Sequence, residues 1–279
     1  MDKTAYWATL TGFYDTHPIN EQQILDKLKH DGVALEGLNE DILQNYDQDH
    51  YGGLAANDAL AALAGIDASC HVLDVCSGMG GPSRYFAHNF GCKISGIDLT
   101  QSRVDGARRL TEMTGLSHLV DYRQGNALDM PFDDAAFDVV ISQEGFCHIP
   151  NKSQLIPECV RVLKPGGKLA FTDILASPKT TSATRERLLE GMNFPELITL
   201  GDYRAMLERE GCSVQVIDLS AEWQTILRER LEMYRSLKDQ TIEQFGPERF
   251  AKWDEAYSFF VGLYECGELE GGRFLAQKS

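Results

Sequence analysis

The sharpest candidate for chemistry is the stretch VLDVCSGMGG at residues 72–81, followed at once by Pro82. An apolar run enters a glycine-rich turn, where the main chain can approach a ligand closely and adopt positive φ. Pro82 suits the first turn of the helix expected to follow. About twenty residues further on, GIDLT (96–100) ends its own apolar run on Asp98, a carboxylate placed to accept hydrogen bonds from ribose hydroxyls. Thr100 is the expected N-cap of the next helix, from Gln101. A glycine turn is shared by many nucleotide folds and also occurs with no ligand at all.

Two further clusters carry polar chemistry. Gln143-Glu144-Gly145-Phe146-Cys147-His148 follows another apolar run. His148 titrates near neutrality and suits a general base, or else a hydrogen bond that fixes its loop. Glu144 suits the attraction of a cationic substrate, or is a plain exposed loop carboxylate. Upstream, Asn45-Tyr46-Asp47-Gln48-Asp49-His50-Tyr51-Gly52-Gly53 gathers two tyrosines, two aspartates and a histidine beside a Gly-Gly hinge. Tyrosine faces such as that of Tyr51 attract cations, so the segment reads as a cover over a positive group, or as a polar turn between helices.

The elements that must position these residues follow from apolar runs and breakers. Residues 1–50 are polar and helical, with Asn20 and Gln23 in the positions of an N-cap and its capping-box partner. GLAANDALAALAG (53–65) is a second helical pattern stopped by Gly65. Strand candidates follow at 71–76, 92–98, 119–125, 137–143 and 167–175, mostly separated by helical segments. Such alternation predicts a parallel sheet covered on both faces, in a doubly wound α/β topology. A helix ending at Gly211, a strand at 212–220, two helices over 221–267 broken at Gly246-Pro247, and a last strand in GGRFLAQKS complete the chain. Pro157 should kink its helix or mark a late start. The expected division is an N-terminal helical lid at 1–52 and a catalytic domain at 53–279, with helical insertions around 176–210 and 221–267.

Composition narrows the partners. A formal charge of −16 over 279 residues repels phosphate backbones, which argues against nucleic acid. The tight basic cluster Arg103, Arg108 and Arg109 reads as the solvated face of a helix. The opening residues lack a secretory pattern and no apolar run is long enough to span a bilayer. Seven scattered cysteines form no metal knuckle and read as reduced thiols, so a cytoplasmic location without membrane attachment is expected.

Glycine turn and Asp98 alone do not separate a nicotinamide enzyme from a methyltransferase. Three later segments do: GNALDMPFDDAAFDVVISQ (125–143), HIPNK (148–152) and LKPGGKLAFTD (163–173). Together with the first two, they resemble the ordered motifs of class I S-adenosylmethionine-dependent methyltransferases, strongly over residues 70–175. From SQEGFCHIPNK through ECVRVLKPGG the chain most resembles sarcosine/dimethylglycine-type small-molecule methyltransferases, and GGRFLAQKS is similar to their last strand. The resemblance implies a Rossmann-like, mostly parallel sheet with an antiparallel last strand and N- and C-terminal helical lid elements.

It also implies a cofactor site, with S-adenosyl-L-methionine as the cofactor. Asp74, Gly78, Met79 and Gly80 would face the methionine part. Asp98 would hold the ribose, Leu99 the adenine face, Asn126 and Ala127 the adenine edge, and Gln143 the methionine moiety. One departure is Cys76, where the family has its first glycine. The implied reaction is an in-line displacement on a small-molecule acceptor, with the nucleophile about 3–3.5 Å from the methyl carbon. An alkylamine of pKa roughly 10 must lose a proton, and His148, Glu144 and Tyr51 are the candidates to serve it. Oxygen or carbon acceptors, and a cofactor-binding protein without catalysis, are the rival readings. A homo-oligomer stays open. No metal is expected.

Overall fold

The computed structural model describes residues 3–15 and 19–279; residues 1, 2 and 16–18 of the expected lid lie outside these. Four helices come first: α1 (Lys3–Asp15), α2 (Glu21–His30), α3 (Glu40–Leu43) and α4 (Gly53–Ala64). The Asn20 side chain caps α2 by accepting the Gln23 N–H, and Gly65 ends α4 in the left-handed region. Then strand and helix alternate: β1 (His71–Val75), α5 (Gly81–Phe90), β2 (Lys93–Asp98), α6 (Gln101–Met113), β3 (Val120–Gln124), β4 (Phe137–Gln143), α7 (Lys152–Val162) and β5 (Leu163–Ala176). The C-terminal third adds α8 (Ser182–Met192), α9 (Leu200–Arg209), β6 (Cys212–Asp218), α10 (Ser220–Ser236), α11 (Lys238–Phe245), α12 (Pro247–Glu265) and β7 (Leu269–Lys278).

The seven strands form one sheet in the order β3-β2-β1-β4-β5-β7-β6. Strands β1 to β5 pair in parallel, and β7 runs antiparallel between β5 and β6. This is the Rossmann-like sheet expected. Apolar runs fill it because both faces are covered. On one face Leu73, Val140, Leu169 and Phe274 pack under α7 and α9. On the other, Val72, Ile94, Ile141 and Ala170 pack under α4, α5 and α6. Phe171 and Phe274, paired across β5 and β7, stack at 4.6 Å and 9°. The C-terminal helices bury Trp223, Leu227, Phe260 and Tyr264 in a cluster of their own.

Several expectations change. The C-terminal helical region holds three helices, because the chain also breaks at Leu237. The helix α7 starts at Lys152 and runs through Pro157, so no late start occurs. Thr100 occupies the N-cap position of α6 without a side-chain cap bond; its N–H donates to Asp98 instead. The basic cluster divides: Arg108 and Arg109 are half exposed, whereas Arg103 is buried. All seven cysteines are free thiols. Among the described residues, no helix is long and apolar enough to cross a membrane, and no cluster of metal-ligating side chains occurs.

A buried ionic cluster joins the N-terminal segment to this sheet. Arg84 of α5 has no exposed surface. Its guanidinium donates to Asp47 Oδ2 at 2.6 Å and to the Met79 carbonyl at 2.8 Å, and lies 3.5 Å from Glu40. Burial pushes the Glu40 carboxyl up to about 8 against the opposing pull of Arg84. Breaking a buried pair strands the remaining charge, so Arg84→Met should cost about 3–5 kcal/mol in denaturant unfolding. Glu40 binds its proton more tightly folded than unfolded, so its contribution to stability falls as pH rises from about 4.5 to about 8. Glu40→Gln should therefore gain on the parent between pH 5 and pH 8. Parallel pH profiles of stability for the two proteins would contradict this.

Candidate functional site

The sheet order reverses between β1 and β4, and the carboxyl ends of the strands beside such a switch point are where doubly wound folds bind ligands. The turn after β1 enters through Cys76, which sits at φ 64. That is the left-handed region, which costs a non-glycine residue roughly 1–2 kcal/mol. The chain leaves β4 through Glu144 at φ 47, a second left-handed non-glycine residue. Strain of this kind collects at working sites, where surrounding structure holds it in place. The two turns touch: Cys76 Sγ lies 3.8 Å from the Gly145 carbonyl.

The candidate cofactor residues gather on the β1–β2 side. Asp98 ends β2 and accepts the Gly78 N–H at 2.9 Å and the Thr100 N–H at 2.9 Å. Burial raises its pKa, while Arg103 and these two amide donors lower it. A carboxylate has about four lone-pair positions, so ribose-type donors still have acceptors. Asp74, deeper in β1, is turned to the Ser83 hydroxyl at 2.5 Å, and burial pushes it up to about 7. The Met79 side chain lies among Leu28, Leu43 and Leu110, toward the N-terminal helices. Leu99 is half buried, with its carbonyl accepting from Gln124. Asn126 folds its side chain back to the Leu128 N–H, and Ala127 is buried beside it. Gln143 ends β4, and its Oε1 is buried with no hydrogen-bond partner among the described residues; the same holds for the Ser77 hydroxyl in the glycine turn.

The acceptor candidates lie on the β4 side. Glu144 is half buried rather than exposed: its Oε2 accepts the Tyr51 N–H at 2.7 Å, and burial pushes its carboxyl up to about 7. The Tyr51 ring stands edge-on to Trp223 at 5.0 Å, with the Arg230 guanidinium 5.1 Å from its centroid. His148 sits on a short 3-10 turn, its Nδ1 3.2 Å from the Asn193 carbonyl. A carbonyl only accepts, so Nδ1 carries the proton and Nε2 holds the basic lone pair of the neutral ring. His50 is different: it is buried, 3.0 Å from Gln48, and burial pushes it down to about 4, which keeps it neutral.

The segment at 47–51 stitches the two sides together. It bonds to three places in turn: the Asp47 carboxylate to Arg84 on α5, the Asp49 carboxylate to Arg103 on α6 at 3.2 Å, and the Tyr51 N–H to Glu144. The segment runs so close to the start of α5 that a Cβ on Gly81 would collide with the Asp47 carbonyl. The residues expected to form a hinged cover are thus a strap bonded into the site. Helix α1 lies across the same edge. Tyr6 donates to the His148 and Asn193 carbonyls at 2.7 and 3.1 Å, and Tyr14 stands edge-on to His148 at 5.4 Å. Tyr6, Tyr14, Arg103 and Arg230 were not among the expected site residues. Their partners lie far off in sequence, and no local spacing marks them.

Comparison with known proteins bears on the class of site. A family model described as a methyltransferase domain matches residues 73–171. The glycine/sarcosine/dimethylglycine N-methyltransferase of Actinopolyspora halophila is 32% identical over 214 residues, covering 76% of this chain and 38% of that protein. The sarcosine/dimethylglycine N-methyltransferase of Halorhodospira halochloris is 32% identical over 141 residues, half of each. The chain therefore spans half or less of the length of these relatives. In fold it is similar to the Haemonchus contortus phosphoethanolamine N-methyltransferase 2, solved with phosphomonomethylethanolamine and S-adenosylhomocysteine. The TM-score is 0.78 at 21% identity, covering 96% of this chain and 60% of that one.

The turn's geometry yields a prediction. Gly80 sits at φ 76, and a Cβ there would collide with the Tyr122 hydroxyl and lie 2.9 Å from Arg84 Nη1. Gly78 is also left-handed, but its nearest neighbour would be Arg103 at 3.7 Å, an ordinary contact. Gly78→Ala should lose about the 1–2 kcal/mol of left-handed strain, and Gly80→Ala clearly more, since Tyr122 and Arg84 must also move. Thermal unfolding and S-adenosylhomocysteine titration of both variants check the ranking; equal losses would contradict it.

Proposed function

We propose that this chain is a class I S-adenosylmethionine-dependent methyltransferase, as the match of residues 73–171 to a methyltransferase-domain family supports, and that it methylates a small amine. The observation that carries the reading is the half-buried Glu144 carboxylate at the end of β4, which accepts the Tyr51 N–H and follows the turn that touches Cys76. A half-buried carboxylate at the strand ends suits an ammonium group. The cation Arg230, close above the Tyr51 ring, favours an acceptor that also bears a small anionic group.

The chain's own groups fit the cofactor. The Asp98 carboxylate would hold the ribose hydroxyls, with Leu99, Asn126 and Ala127 at the adenine. The buried, unpartnered Gln143 Oε1 and Ser77 hydroxyl match the polar methionine end, since an unpaired buried polar group is costly until a ligand satisfies it. Gly78 leaves room at the turn, whereas Gly80 lets the turn pack against Tyr122 and Arg84. Met79 and Asp74 would shape the turn from behind, through their contacts with the N-terminal helices and with Ser83. When bound, the cofactor supplies a sulfonium methyl already activated for displacement.

The protein's remaining task is to hold the acceptor in line and remove its proton. Glu144, raised toward neutrality, takes up or shares a proton near pH 7. His148, whose Nδ1 faces the Asn193 carbonyl, is held at the acceptor side as the second candidate base. The N-terminal strap and α1 exclude water from the strand ends. The division into a cover at 1–52 and a catalytic domain at 53–279 belongs to the same proposal.

Labelled methyl transfer to a panel of small amines, with and without carboxylate or phosphate groups, tests the reading. Transfer only to phenols or carbon acids would refute it. With an accepted amine, the maximal rate should rise with pH through about 7 as Glu144 ionises. Glu144→Gln should remove that inflection, and His148→Ala should lower the rate about 10²–10⁴-fold with cofactor affinity near normal. If Glu144→Gln keeps the inflection, the titrating group lies elsewhere.

A further inference from the structure

Arg103 lies between the glycine turn and the N-terminal segment. It belongs to the first turn of α6, a few residues past Asp98, and is 5% exposed. Toward the cofactor side its guanidinium lies 3.7–3.9 Å from the space a Cβ would fill on Gly78, and it stabilises the charge of Asp98. Toward the N-terminal segment it donates to the Ile19 carbonyl at 3.2 Å and to Asp49 at 3.2 Å. Its Cζ lies 4.7 Å from the centroid of the Tyr14 ring on α1. That ring in turn meets His148 edge-on.

Arg103 thus faces charge on both sides. Asp49 pairs with the guanidinium at 3.2 Å, Asp98 lies within reach of its field through the Gly78 turn, and Tyr14 offers its π face to the same cation. A ligand whose hydroxyls engage Asp98 draws on the carboxylate that Arg103 also neutralises. More of the cation's field then falls on Asp49 and the Tyr14 ring. A planar, always-charged fork can serve all three partners from one position, which a lysine ammonium could not.

We propose that Arg103 is a positioning residue that makes occupation of the glycine turn and seating of helix α1 over His148 one coupled event. The proposal rests on the cofactor reading given above. Cofactor binding at Asp98 and Gly78 tightens the hold of Arg103 on Tyr14 and Asp49, and Tyr14 sets the His148 ring at the acceptor side. An acceptor then meets an ordered base only when the methyl donor is in place. Coupling of this kind is reciprocal: whatever loosens α1 weakens cofactor binding by the same factor.

Hydrogen exchange of the full chain with and without saturating S-adenosylhomocysteine tests it. In the parent, the ligand should slow exchange in residues 81–90, beside the turn, and by at least about fivefold in residues 3–15. In Arg103→Ala, residues 81–90 should still gain protection at saturation while residues 3–15 gain none. Tyr14→Leu, which leaves the sheet and α6 untouched, should behave the same way. It should also weaken S-adenosylhomocysteine binding by the factor that protection loses. Equal protection of residues 3–15 in the parent and either variant would overturn the coupling while leaving the cofactor reading in place. Absence of protection at 81–90 in the parent would overturn both.

Discussion

A guanidinium with no access to water governs much of this molecule. Arg84 must be matched where it is buried, because an unpaired charge there costs several kcal/mol. Asp47 and Glu40 supply the match, and both belong to the segment that precedes the sheet. The same guanidinium holds the Met79 carbonyl inside the glycine turn. One electrostatic requirement therefore fixes the strap, the start of α5 and the conformation of the turn together. The strap's other bonds, from Asp49 to Arg103 and from the Tyr51 N–H to Glu144, lie two and four residues beyond the point where Asp47 pins it.

Around that anchor the sheet contributes geometry rather than chemistry. Its order reverses between β1 and β4, and Asp98 and Gln143, which end β2 and β4, flank β1 on opposite sides. Cys76 and Glu144 take a backbone conformation that L residues rarely adopt. Both are held by neighbours, Cys76 against the Gly145 turn and Glu144 by the Tyr51 amide. Behind the β4 turn, the Asp173 carboxylate accepts the Cys147 N–H and the Tyr203 hydroxyl. This buried polar contact fixes the short helical turn that carries His148.

The strands were readable because each is a short apolar run covered on both faces, and the turn and Asp98 because they sit at strand ends. β4 runs from Phe137 to Gln143, the span expected from FDVVISQ. What escaped the sequence were facts of long-range pairing. Arg103 shares a basic cluster with Arg108 and Arg109, and local spacing cannot say that one of the three turns inward to Asp49. Glu144 looked like any loop carboxylate until the Tyr51 amide was brought to it. The break at Leu237 carries neither glycine nor proline, so no breaker marked it. Arg230 is one charge among many on α10, and only the tertiary fold sets it above Tyr51.

The strap has a consequence for the order in which the protein acquires its parts. Its bonds span very different lengths of chain: Asp47 meets Arg84 37 residues on and Asp49 meets Arg103 54 residues on, but Tyr51 meets Glu144 93 residues on and the His50 carbonyl meets Arg230 180 residues on. Closing the two longer loops loses chain entropy before any contact rewards it. The sheet's β1-to-β5 pairings close over shorter spans and can precede them. The end of the strap that meets Arg84 and Arg103 can therefore seat early, while the end that meets Glu144 and Arg230 waits for chain made much later. A newly made or partly unfolded molecule then holds its parallel strands and its glycine turn with Glu144 still open to water.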